Sequence, residues 1–460
     1  MSAIRILVVC AFVILFSVIV NDTIQPLLRL TTIQLEKNVA RINSSIRNTD
    51  ILSPFLYVAI ALVSFIAYHF YNLLFRPLNR VRILGDLGYQ KDGKFSMKEI
   101  ANIVKKRRDV GEIPPVYPNG WFAIIEGWRL KTGETKSIHA IGQELAVFRD
   151  EKGVAHVLDA YCPHMGANLA IGGLVVGDCI QCPFHGWKFR GHDGKCTGIP
   201  YAEKVPDVAR AKSWNTVEIN GWINVWYHAE GSEPYWTLPE IEEITNGTFR
   251  YKGRTEHHVN AHIEEIPENA ADAAHLRQVH RPFIAGGYDL NKMWNRYISW
   301  AHHNWEATWS QRPSPDDHIG CMEVTHDLKF FDCSLFRLFK LKVRAMQIGP
   351  AIVHITMEGI FFKCILLHVV TPMEPVVQKV VQNIYVHWAL PNIIAKIFLA
   401  GDAIQVERDV SIWNNKKFQS KPVLTKTKED SLIARHRRWY SQFYSEHSPR
   451  LKFQKDTLDW

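Results

Sequence analysis

A chain of 460 residues, 47% hydrophobic and 12% aromatic, is long enough for two domains around substantial cores. A mean hydropathy of −0.12 excludes a polytopic membrane protein, the aromatic content excludes a disordered chain, and an unevenly spread net charge of +8 gives no reason to expect a nucleic-acid partner. Eight cysteines without close, even spacing argue against a secreted disulfide framework and for a reducing compartment.

Two apolar segments come first in the chain. Residues 6–20, "ILVVCAFVILFSVIV", follow Arg5 and suit a short span, a cleaved signal or an interfacial anchor. Residues 51–75 contain no Lys, Arg, Asp or Glu and exceed the roughly 20 apolar residues that a span requires. Arg76, Arg80, Arg82 and the run "KKRR" at 105–108 follow; such an excess of positive charge beside a span marks the cytosolic side. The run itself reads as a solvated linker or a lipid-headgroup contact. Asn21 and Asn43 open N-x-S/T triplets, in keeping with a lumenal loop between the segments. The expectation is a membrane anchor over 1–75, a basic cytosolic linker over 76–114, and a catalytic bulk facing the cytosol.

From about Pro115 short apolar runs are cut by turn residues, as in "GWFAIIEG" and "SWNTVEINGWINVWYH". This pattern predicts a small all-β domain over 115–230. Between 231 and 445 helical and strand-like stretches mix, which predicts an α+β domain. Within it "EEIPENAADAAHLRQVH" reads as an Ala-rich helix, "AIVHITMEGIFFKCILLHVVTPM" and "VVQNIYVHW" as buried strands, and "GDAIQVERDVSIWNN" as another helix. A tail occupies 446–460.

Inside the β domain, "YCPHMGANLAIGGLVVGDCIQCPFHGWKF" pairs Cys162 with His164 and Cys182 with His185. Zinc fingers usually pair like with like, whereas these pairs are mixed. Mixed pairs suit a binuclear cluster in which both thiolates bind one iron and both imidazoles the other, which raises the reduction potential above that of an all-cysteine cluster. Gly166 and Gly186 would let each loop turn sharply. The stretch resembles the Rieske [2Fe–2S] family, through C-x-H followed after seventeen residues by C-x-x-H-G-W. Respiratory Rieske proteins bridge the two loops by a disulfide at positions held here by Ala167 and Phe184, so the resemblance implies the oxygenase branch. Cys179 and Cys196 are read as packing residues.

A one-electron centre needs an acceptor. "NAADAAHLRQVH" offers His275 and His280, two members of the two-histidine, one-carboxylate set of mononuclear non-haem iron. Five residues subtend about 140° around a helix, so the helix must bend or end between them. Asp272, three residues before His275, is placed to accept its second ring N–H. The stretch is similar to the catalytic motif of Rieske non-haem iron oxygenases. That resemblance implies iron ligation by His275 and His280, a helix-grip (START-like) catalytic domain, a homotrimer, and an electron route in which Asp272 reaches a cluster histidine, His185, of the partner subunit. Asn269 matches a position near the iron. "QVERDVSIW" resembles a late helix of steroid-acting members and selects Asp409 as the carboxylate, with Glu407 and Asp402 as alternatives.

His257, His258, His262, His302 and His303 lack ligand spacing and read as surface or strand-pairing residues. Trp294, Trp300, Trp305 and Trp309 read as core or pocket wall. Taken together, the anchor and "ERDVSIWNNKKF" resemble the animal cholesterol 7-desaturase family. This implies a sterol substrate, O2, membrane lipid and a separate NAD(P)H-dependent reductase or ferredoxin as partners, in the endoplasmic reticulum membrane. The cofactors implied are a [2Fe–2S] cluster and Fe(2+). The ligands do not decide between hydroxylation and desaturation.

Overall fold

The computed structural model describes residues 52–90, 93–108, 113–293, 300–333, 340–360 and 362–451. The first apolar segment, the triplets at Asn21 and Asn43, and Trp294 lie outside the described residues. Two units divide the chain, 1–76 and 77–460. In the first, helix α1 (Leu52–Phe75) contains a 22-residue stretch, Pro54–Phe75, long and apolar enough to cross a membrane.

The second unit begins with strand β1 (Leu78–Arg82) and helix α2 (Met97–Arg108). Strands β2 (Gly120–Glu126), β3 (Thr135–Ala140), β4 (Gln143–Arg149), β5 (Ala155–Asp159), β6 (Leu174–Val176), β7 (Cys179–Gln181), β8 (Lys188–Arg190), β9 (Cys196–Gly198), β10 (Thr216–Ile219) and β11 (Trp222–Tyr227) follow. They form three small antiparallel sheets, ordered β10-β11-β2, β3-β4-β5 and β6-β7-β8-β9.

After the short helix α3 (Glu242–Thr245) come β12 (Phe249–Asn260), α4 (Glu265–Glu268), α5 (Ala273–Gln278), β13 (Ala301–Gln311), β14 (Ile319–Phe330), β15 (Leu341–Ile348), β16 (Ile352–Glu358), β17 (Lys363–Glu374) and β18 (Val377–His387). Helices α6 (Asn392–Trp413) and α7 (Lys428–Tyr440) close the fold. One eight-stranded sheet runs β1-β12-β18-β17-β16-β15-β14-β13. The α+β class expected from the sequence holds.

Strict alternation divides the large sheet's two faces. Met322, Ala345, Ile355, Leu366 and Ile384 are successive cross-strand partners and belong to the cores that include α6 and α7. Ile348, Ile352, Val369 and Val381 form the complementary row, and cluster with Trp121, Trp222, Trp226 and Trp236 from the small β region. Helix α6 seats on the first face because Ala395, Leu399, Ala403, Val406 and Val410, all buried, recur at three- and four-residue spacing.

Two expectations change. The segment 76–114 is more than a linker: β1 pairs in parallel with β12 at the edge of the large sheet. The Ala-rich stretch is two short helices, because Asn269–Asp272 interrupts it and Asp272 caps α5 by accepting from the Ala274 and His275 amides.

Candidate metal centres

The two Cys-His loops are built alike. The Gly166 amide donates to the Cys162 carbonyl (2.8 Å) and the Gly186 amide to the Cys182 carbonyl (3.1 Å). Both glycines have φ of 75°, in the left-handed region that side chains disfavour. At Gly186 a Cβ would also meet the Pro200 ring at 2.8 Å. Cys162 and Cys182 are buried, whereas His164 and His185 are half-buried, their ring centroids 4.7 Å apart. Trp187 stacks on His164 at 4.5 Å and donates to the Tyr201 hydroxyl. Burial, with the neighbouring Cys182 thiol, pushes the Cys162 thiol up to about 11; a bound cation reverses that and deprotonates it. Thiols inside and imidazoles outside fit a cluster with two chemically different irons. Cys196, in β9, packs within the domain core, as expected; Cys179, buried in β7, contacts the Asp178 carboxylate and the Thr197 hydroxyl.

The second site is on the helix-bearing side of the large sheet. His275 is in α5, His280 lies beyond its end, and Asp409 is in α6. Their ligand atoms all lie within 4.8 Å of one another, and His280 Nε2 is 3.2 Å from Asp409 Oδ2. The ending of α5 at Gln278 lets two histidines five residues apart converge.

Both imidazoles are set in the tautomer that a metal needs. His280 Nδ1 lies 2.8 Å from Gln405 Oε1, and that oxygen is fixed as an acceptor because Arg408 donates to it at 3.1 Å. His280 therefore carries its proton on Nδ1 and offers the Nε2 lone pair toward Asp409. His275 Nδ1 donates likewise to the Asp272 backbone carbonyl. This corrects the expected contact: the Asp272 carboxylate caps α5, with Oδ2 3.9 Å from His275 Nδ1, beyond hydrogen-bond reach.

Burial disfavours charge on Asp409, yet His280, His275 and a hydrogen bond from Asn269 hold its carboxyl below the ordinary range. Burial pushes His275 down; it opposes charge on His280 too, but Asp409 overrides it and raises that group. A buried carboxylate facing two imidazoles is the donor set of non-haem iron.

The alternative carboxylates do not join this group. Glu407 pairs with Arg80 and Arg82. Burial pushes Asp402 up to about 7, and it lies outside the group formed by His275, His280 and Asp409. Sequence reading missed Gln405 and Arg408. The Arg408 guanidinium is fully buried and donates to the carbonyls of Val279, Pro282, Phe283 and Gly287, tying the chain around His280 to the helix bearing Asp409. Trp305 contributes by donating to the His280 carbonyl at 3.0 Å. Trp309 is buried and Trp300 exposed. Of the histidines read as surface or strand-pairing residues, His257 and His258 pair within β12, and His302 and His303 within β13; His257, His303 and His262, just beyond β12, are buried.

Replacing Gln405 by leucine removes the acceptor that fixes the His280 tautomer. Iron affinity is expected to fall about 10- to 100-fold, read by titrating iron and following the excess over acid-labile sulfide, with cluster absorbance unchanged.

Comparison with known proteins agrees with this geometry. A Rieske [2Fe-2S] domain model matches residues 120–209, and a 3-ketosteroid 9alpha-hydroxylase C-terminal domain model matches residues 225–444. A Xenopus laevis protein named cholesterol 7-desaturase is 48% identical over 409 residues, covering 89% of each chain. The chain belongs to the cholesterol 7-desaturase family of Rieske oxygenases. Family membership brings a Rieske cluster and a mononuclear iron. A Caenorhabditis elegans cholesterol 7-desaturase is 41% identical over 83% of this chain and 90% of its own. More distant is the oxygenase component of a Rhodococcus rhodochrous 3-ketosteroid-9-alpha-monooxygenase, at 31% over 78% of this chain and 93% of its own. Pseudomonas putida NdmA with caffeine shares the fold, with a TM-score of 0.52 at 15% identity over 73% of this chain and 96% of that one.

Proposed function

We propose that this protein introduces the 7,8 double bond of cholesterol, with His275, His280 and Asp409 holding the iron and Cys162, His164, Cys182 and His185 the cluster. The observation that carries this reading is the convergence of two imidazoles in pre-set tautomers on one buried carboxylate, in a chain that also carries the Rieske loops. His275, His280 and Asp409 would hold a ferrous ion, which when bound would supply O2 activation with electrons from the cluster. In the overall balance two hydrogens leave adjacent sterol carbons, NAD(P)H and a proton supply the remaining reducing equivalents through a separate reductase or ferredoxin, and O2 leaves as two waters.

The chain's own residues provide orientation. Gln405 and the Asp272 carbonyl keep the Nε2 lone pairs free, Asn269 steadies Asp409, and Arg408 fixes the His280 segment. Asp272 is 28% exposed at its side chain, and Met165 and Phe184, 65% and 59% exposed, flank the cluster histidines. These support a head-to-tail trimer in which Asp272 meets His185 of the partner subunit. Domain limits of 115–230 and 231–445, with β1 joined to the second, follow the sheet pairing. The two helices on one face of the large sheet support a helix-grip, START-like reading. Helix α1 is read as the anchor in the endoplasmic reticulum membrane, with both metal centres on the cytosolic side.

Membranes containing the protein, supplied with cholesterol, O2, NADPH and a reductase, are expected to form 7-dehydrocholesterol by mass spectrometry. A mono-oxygenated sterol without diene would instead favour hydroxylation, the activity named in the 3-ketosteroid relative.

A further inference from the structure

The residues "ERD" at 407–409 stand one after another on α6, so their side chains leave the helix about 100° apart. Asp409 faces the two histidines and Arg408 clamps the 279–287 segment. Glu407 points to a third partner, the strand that directly follows the apolar helix in sequence. Its carboxylate is 0% exposed and accepts Arg80 Nε and Nη2, both at 2.6 Å, and Arg82 Nε at 3.0 Å. Arg80 and Arg82 share one face of β1, two residues apart, and His257 from β12 closes the pocket at 3.7 Å.

A second set of contacts lies at the C-terminal end of the same helix, where Asn414 is its C-cap. Asn414 donates to the Leu87 carbonyl at 3.0 Å and accepts from the Asn260 amide at 2.8 Å. Asn415 donates to the Gly88 carbonyl. The backbones approach so closely that a Cβ at Gly88 would lie 2.8 Å from the Ser411 Cα; Leu87 is buried in the core that contains Val410 and Trp413. The segment 78–88 therefore braces the two turns of α6 on either side of Asp409.

Resting on the iron-site reading above, we infer that Arg80 and Arg82 are positioning residues for the iron site: by neutralising buried Glu407 they fix the rotation and axial place of α6, and so hold the Asp409 carboxylate against His280. The physical reason is that a buried carboxylate without its partners is strongly destabilising, and drawing in water or turning outward relieves that cost. Glu407 can turn outward only by rotating or unwinding the helix turn that it shares with Asp409. On this account the first strand after the anchor is part of the catalytic fold, although nothing in it touches iron.

The full-length protein in membranes tests this. In Arg80→Gln/Arg82→Gln, iron in excess of acid-labile sulfide, and the electron-paramagnetic signal of the nitric oxide adduct of that ferrous ion, are expected to fall about tenfold, while Rieske absorbance per chain persists. Adding Glu407→Gln removes the unpaired charge and is expected to restore most of the excess iron. The inference is overturned by a double variant that keeps its iron, by parallel loss of iron and cluster, or by a triple variant as depleted as the double. An unaltered protein with no iron beyond its sulfide equivalent would sink the iron-site reading itself, and this inference with it.

Discussion

Asp409→Ala is expected to abolish sterol turnover and strip the mononuclear iron while leaving the Rieske cluster intact. The loss should exceed the roughly 100-fold that removing an outer partner of a ligand can cost, because a donor atom itself disappears. The fold should survive, since buried Arg408, which loses a neighbouring counter-charge, keeps its carbonyl acceptors. His280 then loses the carboxylate that raises its pKa and keeps its contact with Gln405. The check is the iron-to-sulfide ratio beside the cluster's visible absorbance. Retention of the extra iron would return Asp402 or Glu407 as the ligand, against the geometry that pairs Glu407 with Arg80 and groups Asp409 with both histidines.

Asp272→Asn is expected to separate structure from electron delivery. Asparagine caps helices about as well as aspartate, and the His275 contact uses the Asp272 backbone carbonyl, which the substitution leaves in place. Both metals should therefore remain bound. Loss of the carboxylate should still slow cluster reoxidation by O2 and sterol roughly a hundredfold or more, the scale on which a displaced reacting group costs rate. Stopped-flow absorbance of the reduced cluster reads this directly. Alanine is a poorer choice, since it also removes the cap, worth ~1 kcal/mol. If the asparagine variant loses iron, Asp272 is a support for His275 and the route between subunits must run elsewhere.

Chemistry with strict local spacing was legible before any fold was known. Cys162, His164, Cys182 and His185 sit in two short loops whose geometry follows from glycine, proline and hydrogen bonds within a few residues, so the pattern pointed to the Rieske domain that the comparison matches over residues 120–209. His275 and His280 formed a weak pattern by themselves and became candidates through their place behind the Rieske loops; their five-residue interval required the helix to bend or end between them, and α5 ends at Gln278. Asp409 depended on resemblance, since its nearest ligand partner is more than a hundred residues away. Gln405 and Arg408 were illegible: a glutamine and an arginine on a helix read as solvated, and only the packing of α6 buries them.

The strand β1 was missed for a related reason. "LNRVR" after an apolar helix looks like the basic flank of a span, and its arginines acquire a different meaning only when a buried glutamate over 300 residues later comes to meet them. By itself, then, the sequence determined which chemistry the chain carries, because metal donors and turn residues act over short spans. Only the tertiary structure decided which carboxylate faces the histidines, which atoms fix their tautomers, and that the first strand braces the site, because long-range pairing and burial are properties of the packed chain.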